Sequence, residues 1–258
     1  MTGDPALPIV SIEGLTKTYG QFTAVRALSL QVQRGEILAL LGPNGAGKTT
    51  TIRMLMGILS PTAGTATIAG HDCFAQRAEV MQHTGYLPDE PMFYEHLRGR
   101  EIVRFCGTMR GMPEADVRRR TIELAARLDL GDALGEYAVN YSMGMKKKLA
   151  LVCAMLHRPA VLILDEPTNG LDPVVTRSLL DLVREVAAAG TAVFYSTHLL
   201  EQADRLCSRV GILHRGALAA LGTPAELRSQ LAPGGSLEDV FFQVTAPPAP
   251  SPPPPEPL

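Results

Sequence analysis

Gly42-Pro43-Asn44-Gly45-Ala46-Gly47-Lys48-Thr49 satisfies the pattern G-x-x-x-x-G-K-[ST] at every fixed position. These residue types at this spacing suit one kind of chemistry, the holding of a phosphate chain. The glycines let successive backbone N–H groups turn inward and form a nest for anionic oxygens. A helix starting where the loop ends adds unpaired N–H groups and the positive end of its dipole. Lys48 supplies a point charge for β- and γ-phosphates, and the Thr49 hydroxyl can ligate Mg²⁺. The flanking residues agree with this reading. Glu36–Leu41 is a mostly apolar run that reads as a buried strand, and Thr49–Leu59 has helical character that stops at Ser60-Pro61.

A second constellation lies downstream. Val161-Leu162-Ile163-Leu164 reads as a buried strand, and Asp165 and Glu166 emerge at its C-terminal end, the edge at which open α/β sheets bind ligands. Asp165 can hold Mg²⁺, and Glu166 is placed to orient and polarise an attacking water. Ala192–Ser196 reads as another buried strand, and His198 just after it stands where a side chain can contact a γ-phosphate.

These residues need a scaffold. Val10–Val32 alternates, with Tyr19-Gly20 as punctuation, and reads as antiparallel strands. Glu95–Leu134 is rich in Arg, Glu, Leu and Ala at helical spacing, with Pro113 near the start of one helix. It reads as a helical insert between strands. Thr176–Ala188 reads as a helix between two strands, which implies a right-handed parallel crossover. Val210–Leu221 reads as a hairpin turning at Arg215-Gly216, and Thr223-Pro224 caps a short helix. No internal repeat is evident.

Composition narrows the class. A chain of 258 residues suits one large domain, and a net charge of −2 provides no global basic field for nucleic acid or anionic lipid. Cys73, Cys106, Cys153 and Cys207 are too scattered for a zinc or redox motif and read as reduced thiols. The opening MTGDPALPIV lacks the pattern of a secretory signal. No run approaches the ~20 apolar residues of a membrane span. From Ala246 onward the sequence APPAPSPPPPEPL predicts an extended, disordered tail. Arg118-Arg119-Arg120 reads as a solvated helix face.

From about Val10 to Thr245 the chain resembles ABC (ATP-binding cassette) ATPases, most closely the subunits that serve ABC-2-type exporters. Gly42–Thr50 is similar to that family's phosphate loop, and Tyr19 to the aromatic residue that stacks on adenine. Gly57–Gly64, with Ile68 and Gly70, resembles the stretch that follows the loop. Tyr141-Ser142-Met143-Gly144-Met145-Lys146 resembles the signature motif. Asp165–Pro173 resembles the magnesium strand, catalytic glutamate and interface loop, His198 the switch histidine, and Ser236–Phe241 the end of exporter subunits.

Two positions depart from the pattern. Asp89 stands where a glutamine is usual, though its carboxylate can still reach Mg²⁺. Met143 and Met145 replace a glycine and a glutamine, while Ser142 and Gly144 remain.

The resemblance implies an α/β fold of the P-loop NTPase type. It would have a mixed core sheet, an N-terminal antiparallel β subdomain and an inserted helical subdomain at about 92–158, within a domain spanning 8–245. It implies ATP and Mg²⁺ as cofactors, with Glu166, His198 and Lys48 catalytic and with Thr49, Asp165 and Asp89 at the metal. Tyr19, Gly42, Pro43, Asn44, Gly45, Ala46, Gly47, Lys48, Thr49, Thr50, Ser142, Gly144 and Asp172 would bind nucleotide. It implies two ATP molecules in a head-to-tail dimer, a separate membrane-spanning permease, and a place on the cytoplasmic side of the membrane. Lys146-Lys147-Lys148, opening the signature helix, would raise the potential at ATP. A ribosome- or DNA-acting relative would need a second cassette or a long coiled coil, and this sequence has neither.

Overall fold

The computed structural model describes residues 7–246, and the secondary structure follows the chain as strands grouped in two sheets. The first elements are β1 (Val10–Tyr19), β2 (Phe22–Val32), β3 (Ile37–Leu41), α1 (Lys48–Leu55), β4 (Ala63–Ile68), β5 (His71–Asp72), α2 (Arg77–His83) and β6 (Thr84–Leu87). A helical stretch follows: α3 (Gly99–Met109), α4 (Glu114–Arg127), two short 3₁₀ turns and α5 (Met143–Met155). The chain then returns to the sheet with β7 (Val161–Asp165), α6 (Pro173–Ala188), β8 (Ala192–Thr197), α7 (Leu200–Leu206), β9 (Arg209–His214) and β10 (Ala217–Gly222). It ends in α8 (Pro224–Leu231) and α9 (Leu237–Thr245). The proline-rich tail expected from Ala246 lies, from residue 247 on, outside the described residues.

One sheet is antiparallel, in the order β2-β1-β4-β5. The other is mixed, in the order β10-β9-β3-β8-β7-β6, and parallel except for the β9–β10 hairpin. The apolar runs of β3, β7 and β8 are continuous because both faces of this sheet are covered. Leu38, Leu40, Val161, Ile163 and Phe194 pack with α1 and the antiparallel sheet. Ala39, Leu41, Leu162, Leu164 and Tyr195, on the opposite face, pack with residues of α3 to α9. No helix among the described residues is long and apolar enough to cross a membrane.

The helical insert is as expected in kind, lying between the neighbouring strands β6 and β7, with Pro113 as the N-cap of α4. Three local expectations need correction. Helix α1 ends at Leu55 and does not run to Leu59. Gly57, at φ 61°, closes it: the Ile58 N–H donates to Arg53 O and the Gly57 N–H to Met54 O, the paired bonds of a Schellman ending. Helix α6 starts at Pro173, three residues before Thr176, because Asp172 caps it by accepting from the N–H groups of Val174 and Val175, both at 2.9 Å. Arg120 does not share the solvated face of Arg118 and Arg119. It is buried, donating to Glu123 at 2.7 Å and to the Met155 carbonyl at 3.2 Å.

The insert is anchored to the sheet by a close approach. A Cβ on Gly85 of β6 would lie 2.2 Å from the Ala154 carbonyl oxygen of α5. The Gly85→Ala substitution is therefore expected to force the two elements apart and cost about 1–3 kcal/mol, measured as a lower urea midpoint.

Candidate functional site

The strand order puts β3, β8 and β7 side by side, so the segments leaving their C-terminal ends meet. From β3 the chain enters the loop at Gly42 and turns into α1 through Gly47, whose φ is 109°. A Cβ there would also lie 2.6 Å from the Ala24 carbonyl oxygen, so glycine alone fits. Lys48 is buried at the first position of α1, and its Nζ donates to the Gly42 carbonyl at 2.7 Å.

The acids leave β7. The buried Asp165 carboxylate accepts from Ser196 Oγ at 2.5 Å. Burial pushes its pKa above the ordinary carboxylate value, while hydrogen bonds from Ser196 and Thr49 pull the other way. Glu166 has φ 44°, an unusual region for a side-chain-bearing residue. Its N–H donates to Ser196 O at 3.1 Å, and Lys147 Nζ donates to its carbonyl at 2.8 Å. Its carboxylate reaches Lys48 Nζ at 3.3 Å through one oxygen and His198 Nδ1 at 2.9 Å through the other.

A cleft of about 290 Å³ opens over the loop, lined by Tyr19, Phe22, Ala24, Pro43 to Thr50, Asp89 and Glu166. A larger cavity of about 670 Å³ lies at the opposite edge of the sheet among Arg34, Arg120 and Arg158 and contains none of the loop. Volume therefore does not locate the site; the chemistry of the lining does. Of the residues expected from the sequence, Tyr19, Asp89, Glu166 and the loop from Pro43 to Thr50 share the smaller cleft. Gly42 lies just beneath it and His198 adjoins through Glu166.

Ser142, Gly144 and Asp172 do not line the cleft. Ser142 caps α5, its Oγ accepting from the Met145 N–H at 3.2 Å, and Gly144 faces Leu171. Asp172 caps α6. Asp89 Oδ1 is engaged by Lys147 Nζ at 3.4 Å and by Asn169 Nδ2 at 3.3 Å. Within the lysine run, Lys148 turns to the Asp129 carbonyl, whereas Lys147 turns inward to the Glu166 carbonyl and to Asp89 at the rim of the cleft.

Several contributors escaped the sequence reading. Phe22 adds a second exposed aromatic beside Tyr19, and its place right after the Tyr19-Gly20 turn was an available signal. Ser196 acts through contacts distant in sequence and had no local signal, and within the lysine run nothing local singled out Lys147 for its contacts with Glu166 and Asp89.

Loop, cleft and acids fit a nucleoside triphosphate. The Thr49 hydroxyl and the Asp165 carboxylate supply oxygen donors, the kind that suits a hard cation such as Mg²⁺. Fold and site together define a P-loop nucleotide-binding ATPase.

Comparison with known proteins narrows the class. Residues 25–169 match the family described as ABC transporter. Over 237 residues the chain is 34% identical to the linearmycin resistance ATP-binding protein LnrL of Bacillus subtilis (strain 168), covering 92% of this chain and 75% of that protein. It is 37% identical over 234 residues to the daunorubicin resistance ATP-binding protein DrrA3 of Streptomyces coeruleorubidus, covering 91% and 73%. A solved structure of the ATP-binding subunit of an ABC transporter matches with a TM-score of 0.87 at 34% identity, covering 92% of this chain and 99% of that one. The chain belongs to the ABC transporter family as an ATP-binding, ATP-hydrolysing subunit.

Ser196 is fully buried and serves both acids, donating to Asp165 and accepting from the Glu166 N–H at 3.3 Å. Ser196→Ala is expected to lower stability by about 1–3 kcal/mol through the lost charge-assisted bond and the desolvated carboxylate, read by chemical denaturation.

Proposed function

We propose that this chain is the motor subunit of an exporter, in which two copies, or this chain and a similar subunit, bind two ATP molecules head to tail and drive a separate membrane-spanning permease. One observation carries the reading: Ser142 and Gly144, at the N-terminal end of α5, stand outside their own chain's cleft. A hydroxyl and a helix N-terminus suit a γ-phosphate, so the cleft they would complete is that of a second subunit. Asp172 sits at the same kind of position, capping α6 beside the loop that Gly144 faces. The relatives named for drug resistance support export. The permease holds the subunit at the cytoplasmic side of the membrane, and no nucleic acid partner is called for.

Residues 8–245 act as one ATPase domain, with the helical subdomain at about 92–158. Tyr19 offers a face for adenine, and the Gly42–Thr50 segment takes the phosphates. Lys48 stabilises charge on the phosphoryl oxygens. A γ-phosphate entering the cleft takes Lys48 over from Glu166, freeing that carboxylate to accept a hydrogen bond from the attacking water. His198, bonded to the other oxygen, fixes its orientation. Thr49 and Asp165 would hold Mg²⁺, with Asp89 at the rim, and the ion held there would supply charge neutralisation at the phosphates.

Glu166→Gln is expected to keep ATP affinity, accumulate as an ATP-dependent dimer in sedimentation experiments, and lose at least about a hundredfold in turnover. Lys48→Ala is expected to lose at least about tenfold in ATP affinity. Normal turnover by the Glu166→Gln protein would overturn the assignment.

A further inference from the structure

Lys147 is a lysine with only 1% of its side chain exposed. A buried ammonium is costly unless paired and hydrogen-bonded. This one has two acceptors from different parts of the chain: the Glu166 carbonyl at 2.8 Å, and Asp89 Oδ1 at 3.4 Å. Burial pulls its pKa down, and Asp89, Glu166 and Asp165 push it back up.

Asp89 lines the phosphate cleft beside Glu166, with its side chain 40% exposed. Asp165 lies behind them at the end of β7. A third carboxylate at this rim works against a triphosphate, because like charges several ångströms apart at a partly buried site repel by kilocalories. Lys48 is shared between the loop carbonyls and Glu166 and does not reach Asp89.

The geometry points to Lys147 as the positioning residue that makes Asp89 compatible with ATP. Its ammonium cancels the Asp89 charge at the rim and at the same time fixes the backbone turn that carries Glu166. The two effects are separable. Charge cancellation acts on nucleotide affinity, whereas the bond to the Glu166 carbonyl acts on turnover. The inference rests on the cleft being the ATP site.

The test is a double-mutant cycle in the full chain. ATP dissociation constants are measured by calorimetry in EDTA, where no divalent cation contributes, and kcat is measured separately with Mg²⁺. Lys147→Met is expected to weaken ATP binding about tenfold. Adding Asp89→Asn to it should restore the affinity to within about twofold of the parent, while kcat stays low because the Glu166 carbonyl has lost its donor. Lys147→Gln loses the charge but keeps a donor. It should therefore show the same affinity loss with a kcat closer to the parent, and it covers the case in which the methionine variant does not fold.

Unchanged affinity in both Lys147 variants, or no restoration by Asp89→Asn, overturns the inference. Lys48→Ala in the same titration separates the two levels. Parent-like binding by that variant overturns the ATP-site reading itself. Lost binding there, with parent-like Lys147 variants, overturns only the role of Lys147.

Discussion

Glu166 leaves strand β7 with φ 44° and is followed at once by Pro167. Left-handed backbone costs a side-chain-bearing residue about 1–3 kcal/mol, and such strain persists only where the surroundings over-determine it. Here they do. The N–H is held by Ser196 of the neighbouring strand and the carbonyl by Lys147 of α5, while the carboxylate is held by Lys48 and His198. The anchors come from β8 and the residue just past its end, from α5 and from α1. The sharp turn is what lifts the carboxylate off the strand axis, so that it faces the loop while Asp165, its neighbour, points at Ser196.

That turn in turn depends on the sheet. Inserting β8 between β3 and β7 gives the phosphate loop and the acids a shared neighbour, and Ser196 and His198 are the residues through which that neighbour acts. The register is fixed by apolar pairing along the strands, with Leu164 beside Tyr195 and Leu38 beside Phe194. A slip of one residue would exchange the two buried faces, moving Leu162 and Leu164 out of one core and Ile163 out of the other. The two apolar clusters thus specify the alignment of the polar groups above them.

This division explains what the sequence could reveal. The phosphate loop, the acids and the strands are local patterns, and the caps at Thr223 and Ser236 are formed by adjacent residues. Helix ends were less legible because the periodicity of Thr49–Leu59 continues past the glycine that stops the helix, and because Pro173 can open a helix or belong to a loop. Buried charge was the least legible. Lys147 and Asp89 are separated by 58 positions, and Arg120 and the Met155 carbonyl by 35, so neither pairing has a local trace. A run of three lysines or three arginines looks uniformly solvated until the fold selects one member of it. That Ser142 and Gly144 do not line the cleft of their own chain likewise has no local trace.

Helix α5 ties these observations together. Its N-terminal end carries Ser142, its second turn carries Lys147, and its C-terminal half presses on Gly85 of β6 so closely that no side chain fits between. One rigid helix therefore touches the signature end, the Glu166 turn, the Asp89 rim and the sheet. Close-packed interiors transmit strain, so a displacement of the α5 N-terminus would be felt at the Glu166 carbonyl and at Asp89. The segment from Asp89 to α3 links the rim in turn to the helical insert, whose surface exposes Met92, Tyr94, Phe105 and Met109. The buried Lys147 ammonium thus contacts both the Glu166 turn and Asp89, and the chain that continues from Asp89 runs on to that surface.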